Sequence, residues 1–411
     1  MKLYQNILTG GNIMNEQIEQ AYENIKDVVV QTPLLYSQFL SKTYKNKIYL
    51  KCENLQITGA YKLRGALNKI RNLTPEEKKK GVVCASAGNH AQGVAYAASS
   101  EKIKSIIVMP KTTPFLKVQS TRDFGGQVVL YGDCFDDAYQ KAKQIEKEEG
   151  ITFVHPFDDM DIIRGQGTVA LELFEQLQDI DVIVCPIGGG GLISGISLYA
   201  KSVNPNIKII GVQAAGANAM EKSFKAKKLM GTDSVNTIAE GIAVKNPGML
   251  NFSFISQFVD DIVTVTDHSI VESLLTLMEK HKIVAETSGA TSIAALKKIN
   301  YSDKNIVCIV SGGNIDMIKI SSLVNSGLVS RGRMFCFNVE IPNTPGQLVK
   351  VISYLTELGV NIINLDHNQF KAKNKVQNVQ VEFTIETNGF EHIQQVKQTL
   401  EEHGYFITQQ Y

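Results

Sequence analysis

The sequence predicts an α/β fold built on open, largely parallel sheets, with a smaller ferredoxin-like unit after it. Three observations carry this. Short β-rich runs alternate with helix-length amphipathic segments from about 14 to 325, the grammar of right-handed βαβ units with helices on the sheet faces. After NSGLVSRGR (325–333) the order changes to βαββαβ. A chain of 411 residues is also too long for one ordinary core and implies two or three domains.

Taken in order, strands are expected at KIYLKCE (47–53), GVVCAS (81–86), KSIIVMP (104–110), QVVLYG (127–132), TFVHPF (152–157), DVIVCPIG (181–188), KIIGVQA (208–214) and NIVCIVSG (305–312). Helical periodicity fills most of the gaps, as at 134–149 and 164–178. The opening MKLYQNILTGGN reads as a loose leader rather than a signal peptide, with a first helix from near Met14. TPEEKKK (74–80) starts with Thr-Pro and two acids and reads as a solvated helix end. Beyond a boundary near 326–332, FCFNVEI, PGQLVKVISYLTELG, VNIINLDHNQ, VQNVQVEFTIE, EHIQQVKQTLEEHG and YFITQ spell the split βαβ pattern. Thr344 is expected to cap the first helix of that unit, with Pro345 at its first position.

Composition removes several function classes. Hydrophobic residues make up 44% and charged residues 20%, as in a globular chain, and the formal net charge of +1 gives no nucleic-acid or acidic-membrane footprint. No apolar run approaches the roughly 18 residues that span a bilayer. Cys52, Cys84, Cys134, Cys185, Cys308 and Cys336 stand singly, which argues against a disulfide framework or a zinc site and for a reducing cytoplasm.

Chemistry is expected where strand ends run into small-residue turns, because ligands of open α/β sheets bind outside the carboxyl ends of the strands. In IGGGGLISG, Gly188, Gly189, Gly190 and Gly191 leave successive N–H groups uncovered just ahead of a helix starting near Leu192, a nest for a phosphate. A close-packed strand–helix crossing is the plainer reading, but it needs only one or two glycines. In SAGNHAQG (86–93), Ser86, Asn89 and His90 sit beside the N–H donors of a helix beginning near Ala91, which suits a carboxylate or a ring oxygen; a helix cap is the alternative. In VSGGN (310–314), Ser311 leaves an apolar strand and reads as a cap or a ligand. In LQITGAYKLRGALNKI (55–70), Leu63, Ala66, Leu67 and Ile70 form a buried helix face behind Thr58, an expected N-cap. Lys62 then falls in the first turn, at the positive end of the helix dipole. It is either an exposed bystander or an amine kept partly neutral for chemistry. One amine, one phosphate nest and one hydroxyl together suggest a phosphorylated aldehyde cofactor.

The ordered set KCENLQITGAYKLRGA, SAGNHAQG, GQGT, GGGGL and SGGN resembles the fold-type II pyridoxal 5′-phosphate enzymes, within them the threonine dehydratase and serine racemase branch, over about 14–322. The tail around VEIPNTPGQLVKVISYLTELGVNIINLDH resembles an ACT domain, and the whole layout that of single-ACT threonine dehydratases (threonine ammonia-lyases). The resemblance implies that Lys62 anchors the cofactor aldehyde and takes the substrate Cα proton. It places Asn89 on the ring hydroxyl oxygen, Gly188 to Gly191 and Leu192 on the phosphate, Ser311 on the pyridine nitrogen, and Ser86, Asn89 and His90 on the substrate carboxylate. Glu286, in AETSGA, matches an acidic position near the cofactor, with a structural cap as its other reading.

The implied reaction is loss of water from L-threonine to give 2-oxobutanoate and ammonia, with L-serine to pyruvate as a side activity. A serine or hydroxyaspartate dehydratase and a non-catalytic amino-acid sensor are the alternatives. Ala87 stands where the racemases place a second base, and Gln213 and Ala219 where they place metal carboxylates, so neither racemisation nor a metal requirement is expected. The resemblance divides the chain into a large cofactor-binding domain (14–80 and 159–325), a small mobile domain (81–158) and an ACT regulatory domain (331–411). It further implies a small amino-acid effector, isoleucine or valine, and a homodimer or homotetramer, with His367 and Asn368 at a paired edge or in solvent.

Overall fold

The computed structural model describes residues 11–368 and 377–410. It divides into two compact units, Met1–Asp316 and Met317–Tyr411. The first holds two sheets. In the larger, the strands run β1 (Leu34–Tyr36), β2 (Lys47–Cys52), β10 (Asn305–Val310), β7 (Val182–Pro186), β8 (Lys208–Ala214) and β9 (Asp261–Val265) across the sheet, all parallel except β1 against β2. In the smaller, the order is β5 (Gln127–Leu130), β4 (Ser105–Met109), β3 (Val82–Ala85), β6 (Thr152–Phe153), all parallel. Strands β3, β4 and β7 are buried at every residue and β10 at all but its first. That is why they read as unbroken apolar runs: helices cover both faces of a parallel sheet.

Every strand expected between 47 and 312 is present. The sequence reading passed over β1 and β9. β1 is only Leu-Leu-Tyr, and in β9 only Ile262 and Val265 are buried, so neither shows a full alternation. The first helix, Gly11–Ile25, begins before Met14, and Met160–Gln176 begins before 164 because Asp159 caps it, accepting from the Asp161 and Ile162 N–H groups. TPEEKKK is a short helix, Pro75–Lys80, with a complete capping box between Thr74 and Glu77.

The larger sheet lines up the turns that matter. β2, β10 and β7 are neighbours and parallel, so their carboxyl ends open on the same edge. From these ends leave the segment leading to the helix Lys62–Arg71, the turn at 311–314, and the glycine turn before the helix Gly191–Val203. The helix Lys62–Arg71 is held in place by a fully buried ionic cluster of two cations and two carboxylates. The Arg64 guanidinium reaches Glu53 through Nε and Nη2, both at 2.8 Å, and Glu172 through Nη1 at 2.6 Å; Lys51 meets Glu172 at 2.6 Å and the Thr32 carbonyl at 2.7 Å. Paired charges with satisfied hydrogen bonds can be buried where a single one could not.

The second unit begins with the helix Met317–Ser330 and contains an antiparallel sheet ordered β12 (Asn361–Asn368), β13 (Asn378–Glu386), β11 (Met334–Pro342), β14 (Ile407–Gln409). Its chain order is βαββαβ, with the helices Gln347–Glu357 and Phe390–Glu402. Val379, Val381, Phe383 and Ile385 alternate inward from β13, packing with Val351, Leu355, Val396 and Leu400 from those helices. Thr344 does not cap the first of them. Gly346, at φ +88°, holds the cap position and the helix starts at Gln347, because Thr344 and Pro345 belong to the turn that reverses the chain. His367 and Asn368 end β12, an edge strand mostly open to solvent.

Candidate functional site

Lys62 is the first residue of its helix, and the approach to it is tied to the end of β10. Ala60 bridges Gly312, and the Tyr61 N–H donates to the Ser311 carbonyl at 3.2 Å. Thr58 is not the N-cap. Gly59 turns the chain at φ +70°, so Ala60 and Tyr61 intervene and Tyr61 takes the cap position with no side-chain cap. Thr58 is buried instead, its carbonyl accepting from Asn314 Nδ2 at 2.7 Å.

The Lys62 side chain keeps some accessible surface, yet protein crowds it enough that burial draws its ammonium from 10.5 down to about 8, against the pull of the Glu286 carboxylate. The uncapped helix N-terminus acts in the same direction as burial. Its amine donates to the Pro156 carbonyl at 2.6 Å. From Pro156 the chain passes to Phe157, whose ring covers Gly189 and whose backbone lies against Gly191; a side chain at 189 would overlap that ring. Gly190 sits at φ +105°, and a Cβ there would come within 2.8 Å of Asn251 Cβ. A Cβ on Gly188 would lie 3.1 Å from Ile242 Cα, so packing bears on all four glycines. The same turn leaves the N–H groups of Gly188, Gly189, Gly190, Gly191 and Leu192 without a protein acceptor among the described residues. The phosphate reading and the packing reading describe one turn.

The turn after β3 lies opposite. Ser86 to Asn89 are partly accessible, and Asn89 opens the helix Asn89–Ser100. Asn89 donates through Nδ2 to Glu286 Oε1 at 2.8 Å and accepts from Asn314 Nδ2 at 2.8 Å; Ser86 Oγ accepts from the Gly88 N–H at 3.3 Å. The His90 ring is used in the core. Nε2 donates to the Val154 carbonyl at 2.9 Å, and burial, with Lys62 nearby, draws the ring down to about 3, so it stays neutral. What His90 presents to the turn is its main-chain N–H.

Ser311 is buried at the end of β10. The next residue must be small: a Cβ on Gly312 would lie 2.8 Å from Glu286 Oε1 and 3.2 Å from Asn89 Nδ2. Glu286 is thus within the site, held by its own N–H on the Gly312 carbonyl at 3.0 Å. Ser288 nearby has a buried hydroxyl with no partner among the described residues. The structure thus brings together Lys62, Asn89, Glu286 and Ser311, and joins Lys62 to the glycine turn through Pro156 and Phe157. This donor set fits a phosphorylated aldehyde: an amine with a lowered pKa for the carbonyl, a row of N–H groups for the phosphate, a hydroxyl and an amide for the ring.

Sequence reasoning missed the ionic cluster and the role of Pro156. Lys51, Glu53, Arg64 and Glu172 are scattered charges in the linear chain, and a backbone carbonyl carries no signature of what it will meet. The signal for the first was available: Lys51 and Glu53 stand in a buried strand run, where single charges need partners.

Residues 25–312 match the family described as pyridoxal-phosphate dependent enzyme. An L-threonine ammonia-lyase of Thermotoga maritima is 43% identical over 393 residues, covering 95% of this chain and 98% of that protein. Among solved structures, the processed form of threonine deaminase isoform 2 from Solanum lycopersicum is similar with a TM-score of 0.74 and 37% identity, over 76% of this chain and 88% of that one. Maize serine racemase gives a TM-score of 0.73 at 36% identity, over 77% and 98%.

Proposed function

This chain belongs to the family of pyridoxal-phosphate-dependent enzymes, with their fold-type II architecture, and from that premise we propose that it deaminates L-threonine to 2-oxobutanoate and ammonia, with L-serine to pyruvate as a side activity. The observation that carries the reading is the Lys62 amine, its pKa drawn down by burial to about 8, linked through Pro156 and Phe157 to a glycine turn whose N–H groups have no protein acceptor among the described residues. The substrate rests on the likeness to an L-threonine ammonia-lyase over nearly the whole chain.

Pyridoxal phosphate, when bound, supplies an electron-withdrawing ring that makes the Cα–H bond of a joined amino acid acidic. Lys62 is its anchor and the base that takes that proton; with its pKa at about 8, roughly a tenth of the amine is neutral at pH 7. The N–H groups from Gly188 to Leu192 hold the phosphate, Asn89 the ring hydroxyl oxygen and Ser311 the ring nitrogen. A serine is a neutral partner for that nitrogen and keeps the ring a weaker electron sink than a carboxylate would. The substrate carboxylate goes to Ser86, Asn89 and the His90 N–H at the helix start. Glu286 fixes the Asn89 amide through its 2.8 Å hydrogen bond. Ala87 has no acid–base group to return a proton to the far face, so elimination of the β-hydroxyl prevails over racemisation. Gln213 has its amide on the Glu221 N–H and the Ile187 carbonyl, and Ala219 has no oxygen in its side chain, so neither supplies a charged ligand to a hard cation.

The domain assignment belongs to the same proposal: 14–80 and 159–325 bind the cofactor, 81–158 closes over it, and 331–411 is an ACT module that takes isoleucine or valine in a cytoplasmic homo-oligomer. Product analysis tests the whole. Threonine should give 2-oxobutanoate faster than serine gives pyruvate, and isoleucine or valine should suppress both. A chain that binds pyridoxal phosphate yet leaves threonine unchanged would overturn the substrate. A turnover indifferent to both amino acids would remove the effector.

A further inference from the structure

The carbonyl that meets Lys62 belongs to a short turn, His155-Pro156-Phe157-Asp158, which is tied down on every side. Outside, Asp158 Oδ1 accepts from the Leu250 and Asn251 N–H groups at 3.1 and 3.3 Å, and Asn251 Nδ2 donates to the Phe157 carbonyl at 3.0 Å. The following residue, Asp159, pairs with Lys69 of the Lys62 helix at 2.8 Å. Inside, one imidazole does the gathering. His155 Nδ1 accepts from the Phe157 N–H at 3.2 Å and from the Asp158 N–H at 2.8 Å. A ring nitrogen that receives two N–H groups carries no proton, so His155 is the neutral tautomer protonated at Nε2. Its ring is edged by Phe153 at 6.1 Å and Phe157 at 4.8 Å. The Pro156 carbonyl and the Phe157 N–H belong to one planar peptide group, so the imidazole that holds the N–H also settles where the carbonyl points.

We propose that His155 is a positioning residue for Lys62: by holding the Phe157 and Asp158 N–H groups on Nδ1, it aims the Pro156 carbonyl at the amine and seats the Phe157 ring on Gly189. This rests on the reading of Lys62 as the cofactor anchor. An amine that donates one hydrogen to a fixed carbonyl has its remaining positions oriented, so its approach to an aldehyde is prearranged rather than searched for. Charged and titratable groups around the imidazole are Asp158 and Asp159, which favour its protonation, and Lys62 and Lys143, which oppose it together with burial; His90 is close enough to be affected by it. Protonation of His155 would set a third N–H against the two already there and open the turn.

The test uses the full chain freed of cofactor, in three variants at position 155. Asparagine places an acceptor oxygen where Nδ1 stands, glutamine places one where Nε2 stands, and phenylalanine keeps the ring without any acceptor. The readout is the rate at which added pyridoxal phosphate acquires the visible absorbance of its lysine adduct, with melting temperature measured alongside. His155→Phe and His155→Gln should slow attachment about tenfold and His155→Asn should retain most of the rate, in an order that melting temperatures do not follow. If the phenylalanine variant does not fold, the asparagine–glutamine pair decides alone. Equal rates in that pair, or a wild-type rate in His155→Phe, would overturn the inference. Lys62→Ala, run in parallel, separates the two claims: a visible adduct that persists there overturns the anchor itself, whereas its loss there with an unchanged His155→Phe overturns only the positioning role.

Discussion

A partly buried ammonium is held against its own solvation, and Lys62 shows the sign of that effect in the direction of its shift. Its pKa falls from 10.5 to about 8, so the folded chain binds this proton less tightly than the unfolded chain. Below pH 8 both states are protonated and the penalty is complete. Between 8 and 10.5 the folded state releases the proton first, so stability from this group rises with pH; above 10.5 the penalty is gone. Lys62→Met should therefore raise stability at pH 7 by up to about 3 kcal/mol, less at pH 10, while eliminating cofactor attachment; denaturant melts at the two pH values check this. In the cofactor-free wild type, the attachment rate should climb about tenfold per pH unit below pH 8 and then level off, as the neutral amine becomes the whole population. At this scale much was legible. The clash between Lys62 and its helix position is visible as a cation at a helix start, and the hydroxyl at Ser311 and the amide at Asn89 as residue types just past strand ends. The buried use of the His90 ring was not, since its partner is a carbonyl 64 residues away. Nor was the displacement of Thr58 from the cap, which depends on a left-handed glycine at 59.

The glycine turn, the helix behind it and the ionic cluster form the level at which side chains become a site. Gly190→Ala forces a Cβ into a φ of +105° and against Asn251, which should cost about 1–3 kcal/mol and loosen the cofactor. Dialysis of the loaded variant, followed by its visible absorbance, would register the second effect and a thermal melt the first. Glu172→Gln leaves Lys51 and part of Arg64 without their carboxylate in a fully buried place, with a loss on the order of 3–5 kcal/mol measurable by denaturant titration. Elements whose burial is total declared themselves in the sequence, β3, β4 and β7 among them. Elements defined by their neighbours did not: β1 is three residues that become a strand only by pairing with β2, and the helix start at Gln347 is settled by a turn rather than by the threonine that looked like its cap.

Across the whole molecule, every residue assigned to the cofactor and to threonine lies within Met1–Asp316, and the antiparallel sheet lies within Met317–Tyr411. A chain ending at Ser330 should therefore still convert threonine while ignoring isoleucine and valine, which an assay of 2-oxobutanoate with and without the amino acids would show. The change of grammar near 326–332 falls at the end of the helix Met317–Ser330, whereas the compact units divide ahead of that helix, at Asp316, because a helix alone does not show in the sequence which sheet it goes with. The pairing of distant strands within the larger sheet was not legible, because register between segments so far apart leaves no local trace.

That pairing has a consequence for how the protein is made. β2 finds its parallel neighbour only in β10, residue 47 opposite 305 and 52 opposite 310, whereas the smaller sheet needs nothing beyond Phe153. On the ribosome, then, the small sheet can close while the lysine at 62 still waits for the serine and glycines at 311–313 to be translated. A nascent chain stalled before residue 305 already holds Pro156 and the glycine turn but lacks the strand that seats Ser311 beside the approach to Lys62, so the complete vitamin B6 pocket closes only late in synthesis.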